Sequence, residues 1–142
     1  RLVLAGPMAI RPCSLGSMLR MMVASVLPVP PVTQRTSRWA LGTSPNVTDR
    51  FGDWFTAVLD AVASPPRVAR PVPLEPDEFG RVEVPVLLLL GTRDPLVGDA
   101  ERAADRASAL PNLRTEIFDS SHLVAVECAD EVNALMVEFL RG

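Results

Sequence analysis

The sequence predicts an α/β chain: about three parallel strands, flanking helices, and a helical segment inserted after the first strand. Three observations carry this reading. Residues 84–90, Val-Pro-Val-Leu-Leu-Leu-Leu, are apolar without alternation. A strand apolar on both faces is buried on both faces, the condition of an inner parallel strand covered by helices. After it the chain reads helix, strand, helix, the order that sets parallel strands side by side. Before it, ten of the 14 prolines fall between Arg11 and Gly80, the texture of an excursion and not of a sheet.

The elements follow in order. Leu2 to Ala5 forms a strand that Gly6-Pro7 stops. Pro85 opens the second strand, where a missing ladder donor is tolerable. Residues 113–119 form the third, alternating around Ile117 and Phe118. Over residues 99–110 the apolar positions Ala100, Ala103, Ala104, Ala107 and Leu110 make a one-faced helical stripe. Val132, Leu135, Met136, Phe139 and Leu140 repeat it in a final helix, with Asp130 and Glu131 in its first turn and Arg141 in its last, as the helix dipole favours. Within the proline-rich excursion two helices are expected. One covers Leu15 to Val26 and is rich in Met. The other covers 49–63, with Phe51, Trp54, Phe55, Val58, Leu59 and Val62 on one face. The expected division is 1–7 as first core strand, 8–80 as an inserted helical cap, and 81–142 as a βαβα unit.

With 142 residues the chain suits one domain with a substantial core. Its net charge of -3 and pI near 5.1 give no basic surface for nucleic acid or acidic lipid. Its longest aliphatic run is far below the ~18 residues of a spanning helix, so no membrane segment is expected. Cys13 and Cys128 are far apart and lack companion histidines, so neither a metal site nor a disulfide framework is expected. Two reduced thiols suit a cytoplasmic protein. The sequon Asn46-Val47-Thr48 would matter only in a secretory compartment. The chain begins at Arg1 and enters a strand at once, which reads as a truncation. Nothing in the sequence sets the oligomeric state.

In open parallel sheets reactive groups gather at the carboxyl ends of the strands. Asp94 follows the second strand and His122, the single histidine, follows the third. Adjacent strands bring these loops side by side, within reach of a carboxylate–imidazole pair. Such a carboxylate fixes the tautomer and stabilises the imidazolium formed when a nucleophile gives up its proton. Asp119 is the second candidate for the acid. Taken without its surroundings, a lone histidine is more often a surface or satisfied core residue, and Asp94 before Pro95 also fits an Asx-turn.

Around these residues the sequence resembles the α/β-hydrolase fold superfamily. Val-Pro-Val-Leu-Leu-Leu-Leu-Gly-Thr-Arg-Asp-Pro-Leu-Val is similar to its strand and acid loop, and Leu-Pro-Asn-Leu-Arg-Thr-Glu-Ile-Phe-Asp-Ser-Ser-His to its strand and histidine loop. Glu127 and the last helix resemble the way such chains end. The acid precedes the histidine, as in that fold. The resemblance implies the C-terminal part of a cofactor-free, esterase-like serine hydrolase acting on a small hydrophobic substrate. Asp94 and His122 are then triad acid and base, and 8–80 is the cap. Trp54 and Phe55 are candidates to line the substrate pocket, or else to anchor the cap helix. Two departures stand out. G-x-S-x-G is absent, which places the nucleophile upstream, and Ser120-Ser121 precede the histidine where glycine is common. Ser120 and Ser121 adjoin His122 too closely to serve as nucleophiles. An epoxide hydrolase or dehalogenase with an Asp nucleophile is the sister reading; a non-catalytic binding module is the alternative of another class.

Overall fold

Val86 to Leu90 decide the architecture, because all five side chains are 0% exposed. The computed structural model describes residues 1–27, 29–42, 44, 47 and 72–142. The helix expected over 49–63, with Trp54 and Phe55, lies outside the described residues. Three strands, β1 (Leu2–Ala5), β2 (Val86–Gly91) and β3 (Leu113–Phe118), form one sheet in the order β1-β2-β3. Both pairings are parallel, with Leu2 opposite Val86 and Val86 opposite Leu113. The second strand starts two residues later than expected. Pro85 has no N–H to give a ladder, and its carbonyl instead accepts from Leu2 at 2.9 Å.

Alternate residues of β2 feed two separate cores. Val86, Leu88 and Leu90 pack with Ile10, Phe79, Val97, Ala100, Ala103 and Ala107. Here α3 denotes Pro76–Phe79 and α4 Ala100–Ala107. Leu87 and Leu89 pack on the other face with Val124 of α5 (Val124–Glu127) and Val132 of α6 (Ala129–Arg141). A strand buried from both sides has no face left for polar residues, which is why its sequence does not alternate. Small residues Ala100, Ala103 and Ala107 let α4 lie close on the sheet. Asp99 caps that helix by accepting from Arg102 N–H at 3.1 Å.

Between β1 and β2 the chain forms α1 (Leu15–Val26), as expected, and α2 (Pro30–Leu41), which was not expected. The prolines at its start read as breakers, yet proline suits the first helical turn, where no intrahelical N–H is needed. Arg38 in the last turn suits the dipole, and Gly42 ends the helix at φ 98°. Ser14 caps α1 by accepting from Ser17 N–H at 3.1 Å. This helix turns its larger apolar side chains outward: Leu15, Met18, Leu19, Met22 and Val26 are all exposed, while Ser17 is buried. No helix among the described residues is long and apolar enough to cross a membrane.

Candidate active site

All three strands end at one place. Past β2 the chain turns, and Asp94 N–H donates to the Gly91 carbonyl at 3.3 Å. Asp94 is 3% exposed, and its Oδ1 accepts the N–H groups of Leu96 (2.8 Å) and Val97 (3.1 Å). This is the Asx-type turn that the local sequence allows. It also clamps the carboxyl group so that Oδ2 points at the loop after β3. There it meets His122 Nδ1 at 2.8 Å. Oδ1 already accepts two backbone N–H groups, and in the tautomer with the proton on Nδ1 the second oxygen accepts as well. In that tautomer Nε2 is the acceptor nitrogen.

β1 contributes the third wall. Gly6, at φ 55°, donates to the Leu89 carbonyl at 2.9 Å, and a Cβ there would stand 2.9 Å from the His122 carbonyl and 3.1 Å from Nδ1. The dipeptide that stops the first strand therefore also leaves room for the imidazole. Gly91 does the same for the loop before the histidine, since a Cβ there would collide with the carbonyl oxygens of Ser120 and Ser121.

Asp119, the second candidate for the acid, does not meet His122. Its side chain is 86% exposed and pairs with Arg93 Nε at 2.9 Å, and Thr92 Oγ1 donates to it at 3.3 Å. The exposed strand end leaves it to tie the acid loop to the histidine loop from outside. Ser120 and Ser121 are buried, and their hydroxyls point into the protein: Ser121 Oγ donates to the Leu41 carbonyl at 2.5 Å and lies against Glu127 Oε1. Sequence reasoning missed the contributions of Gly6, Ser17, Ser121 and Glu127. Ser17 Oγ donates to the Pro95 carbonyl at 2.8 Å, tying α1 to the acid loop across 78 positions of chain. Among the described residues no cluster of three His, Cys, Asp or Glu is placed to hold a metal ion.

The sequence matches no family model, and no curated protein matches it significantly. Solved structures do match. Carboxylesterase CesB from Bacillus subtilis superposes with a TM-score of 0.79 at 21% identity, over 97% of this chain and 50% of that one. The 2-hydroxy-6-oxo-6-phenylhexa-2,4-dienoate hydrolase from a Rhodococcus species gives 0.75 at 17% identity, over 100% and 55%. An esterase from Exiguobacterium antarcticum gives 0.74 at 17% identity, over 99% and 57%. This chain has the α/β-hydrolase fold. It spans about half the length of the proteins it matches and corresponds to a C-terminal part of that fold. Asp94 and His122 lie in the loops that follow β2 and β3.

Cys128 is a free thiol that follows Glu127 in the chain. Burial, then Glu131, Glu127 and Asp119, push its thiol up, outweighing the opposing effect of Arg93. Less thiolate at a given pH means a slower nucleophile. Alkylation by iodoacetamide at pH 8 is expected to be several-fold slower than for a free thiol of pKa about 8.5. Unfolding in urea should restore the ordinary rate; equal rates in both states would contradict the burial described here.

The join between α2 and the histidine loop is equally specific. Gly42 combines φ 98° with ψ 176°, and a Cβ on it would collide with Ser121 Oγ and Glu127 Oε1. Gly42→Ala is expected to cost about 1–2 kcal/mol, since only glycine adopts that backbone conformation freely. A urea midpoint unchanged from the parent would contradict it.

Proposed function

We propose that the protein carrying this chain is a cofactor-free hydrolase of small, hydrophobic, ester-type substrates. Asp94 is the acid and His122 the base of its triad, and the nucleophile is a serine preceding residue 1. The observation that carries this reading is the 2.8 Å contact from Asp94 Oδ2 to His122 Nδ1. A positioned imidazole of this kind takes the proton of an attacking hydroxyl through Nε2 and returns it to the leaving group. Asp94 holds the tautomer and stabilises the imidazolium, and its own clamp on Leu96 and Val97 keeps it in place throughout. The fold supports the same reading, because the matched structures include esterases and a 2-hydroxy-6-oxo-6-phenylhexa-2,4-dienoate hydrolase. The contact from Ser17 Oγ to the Pro95 carbonyl supports a cap built from α1 and α2 beside the acid loop.

A fluorophosphonate, which forms a covalent adduct with activated serines, tests this. One serine outside residues 1–142 should be labelled, His122→Ala should abolish the labelling, and the 142-residue chain alone should turn over no ester. Labelling of a serine within 1–142 would contradict the location of the nucleophile. Turnover of an epoxide or a haloalkane without labelling would favour an Asp nucleophile. Neither labelling nor turnover in the longer protein would favour a binding module.

A further inference from the structure

We propose that Glu127, acting through Ser121, is the positioning residue that holds His122 against Asp94, and that the end of α2 closes the same latch. The proposal rests on the reading of His122 as the general base. His122 sits in a connecting segment between β3 and α5, so its position depends on what ties that segment down. Glu127 reaches back six positions: its Oε1 accepts Ser121 N–H at 3.1 Å and lies against Ser121 Oγ. Its Oε2 faces Arg93 Nη2 at 3.6 Å, and the same Nη2 donates to the Asp119 carbonyl at 2.7 Å. Arg93 adjoins Asp94 in sequence, and its own N–H donates to the Ser120 carbonyl at 2.9 Å. One carboxylate therefore braces both the acid loop and the histidine loop without touching the imidazole.

Its burial makes that role specific. The Glu127 side chain is only 6% exposed. Taking a carboxylate out of water is unfavourable unless its oxygens are satisfied, and its partners here belong to the two loops that carry Asp94 and His122. The third side of the latch comes from the inserted helices. Ser121 Oγ holds one proton between two acceptors, Glu127 Oε1 and the Leu41 carbonyl. Gly42, next along, has no side chain to push them apart. A movement of α2 is thereby transmitted to the residue before the histidine.

His122 is the only histidine of residues 1–142, and under histidine-selective nitrogen-15 labelling of the protein that carries them, the signal lost in His122→Gln is the one to follow. The readout is exchange of the Nδ1 proton with solvent, which requires the loop to open. Glu127→Ala is expected to speed exchange at least about tenfold, equivalent to ~1.4 kcal/mol of lost order. Glu127→Gln, which keeps an acceptor for Ser121, should stay within about threefold of the parent. Ser121→Gly, which keeps the N–H and drops the hydroxyl, should also speed exchange, and it serves if Glu127→Ala fails to fold. Met136→Ala, on α6 where it packs against the core cluster, should lower stability and leave the exchange rate unchanged. Parent-like exchange in Glu127→Ala and Ser121→Gly, or Glu127→Gln as fast as Glu127→Ala, would overturn the proposal. The measurement needs no substrate, so missing ester turnover would count against the hydrolase reading and leave this result standing.

Discussion

In the proposed hydrolase, Asp94→Asn is expected to lower kcat by about 10⁴ while leaving the protein folded. An asparagine can still offer Oδ1 to the N–H groups of Leu96 and Val97, so the turn survives. Its amide nitrogen would face Nδ1 with a donor against a donor. The imidazole escapes by moving its proton to Nε2, which then has no lone pair to accept the nucleophile's proton. Asp94→Ala separates the two roles. It leaves three donors without their acceptor in a buried turn, and a stability loss of ~3–5 kcal/mol is expected. Urea unfolding and ester turnover, measured on both variants, check this. Equal stability losses for Asn and Ala would mean that the turn does not depend on Oδ1.

Gly91→Ala is expected to destabilise by about 3 kcal/mol and to abolish turnover. The added methyl group would meet two backbone carbonyls, those of Ser120 and Ser121, and backbone cannot rotate aside as a flexible side chain can. Nor can β2 withdraw, since Leu87 to Leu90 are wholly buried and both of its edges are paired. The loop must yield, and with it the contact between His122 and Asp94. Gly16→Ala is the matched control. It lies in α1 with only Ser14 Oγ near, at 3.9 Å, and should gain roughly 0.5–1 kcal/mol from helix propensity. A Gly91→Ala midpoint no lower than that of Gly16→Ala would contradict the described approach of β2 to the histidine loop.

The legible parts of this protein are those governed by periodicity. Val86 to Leu90 lack alternation because helices cover both faces, and the alanine stripe of α4 and the larger stripe of α6 name the two covers. Asp94 and His122 stand out in the sequence by position, in the loops that follow two predicted strands, and the fold brings them to 2.8 Å. The α2 helix was hidden because proline opens helices as well as breaking them, and Pro30 and Pro31 open this one. Asp119 was a fair rival to Asp94 in sequence. Only the fold shows that the end of β3 turns it outward to Arg93. The latch was illegible for a different reason. Ser121 meets Leu41 across 80 positions, and a contact between a hydroxyl and a distant carbonyl leaves no spacing in the sequence. Glu127 stood out by resemblance, yet its partners did not.

The most direct test is the rate of p-nitrophenyl ester hydrolysis by the longer protein that carries this chain, with and without His122→Ala. A triad base at His122 predicts turnover in the parent and a loss of at least about 10⁴-fold in the variant, at unchanged fold. Turnover that survives His122→Ala within a small factor would contradict the assignment of His122 and Asp94 to the chemistry.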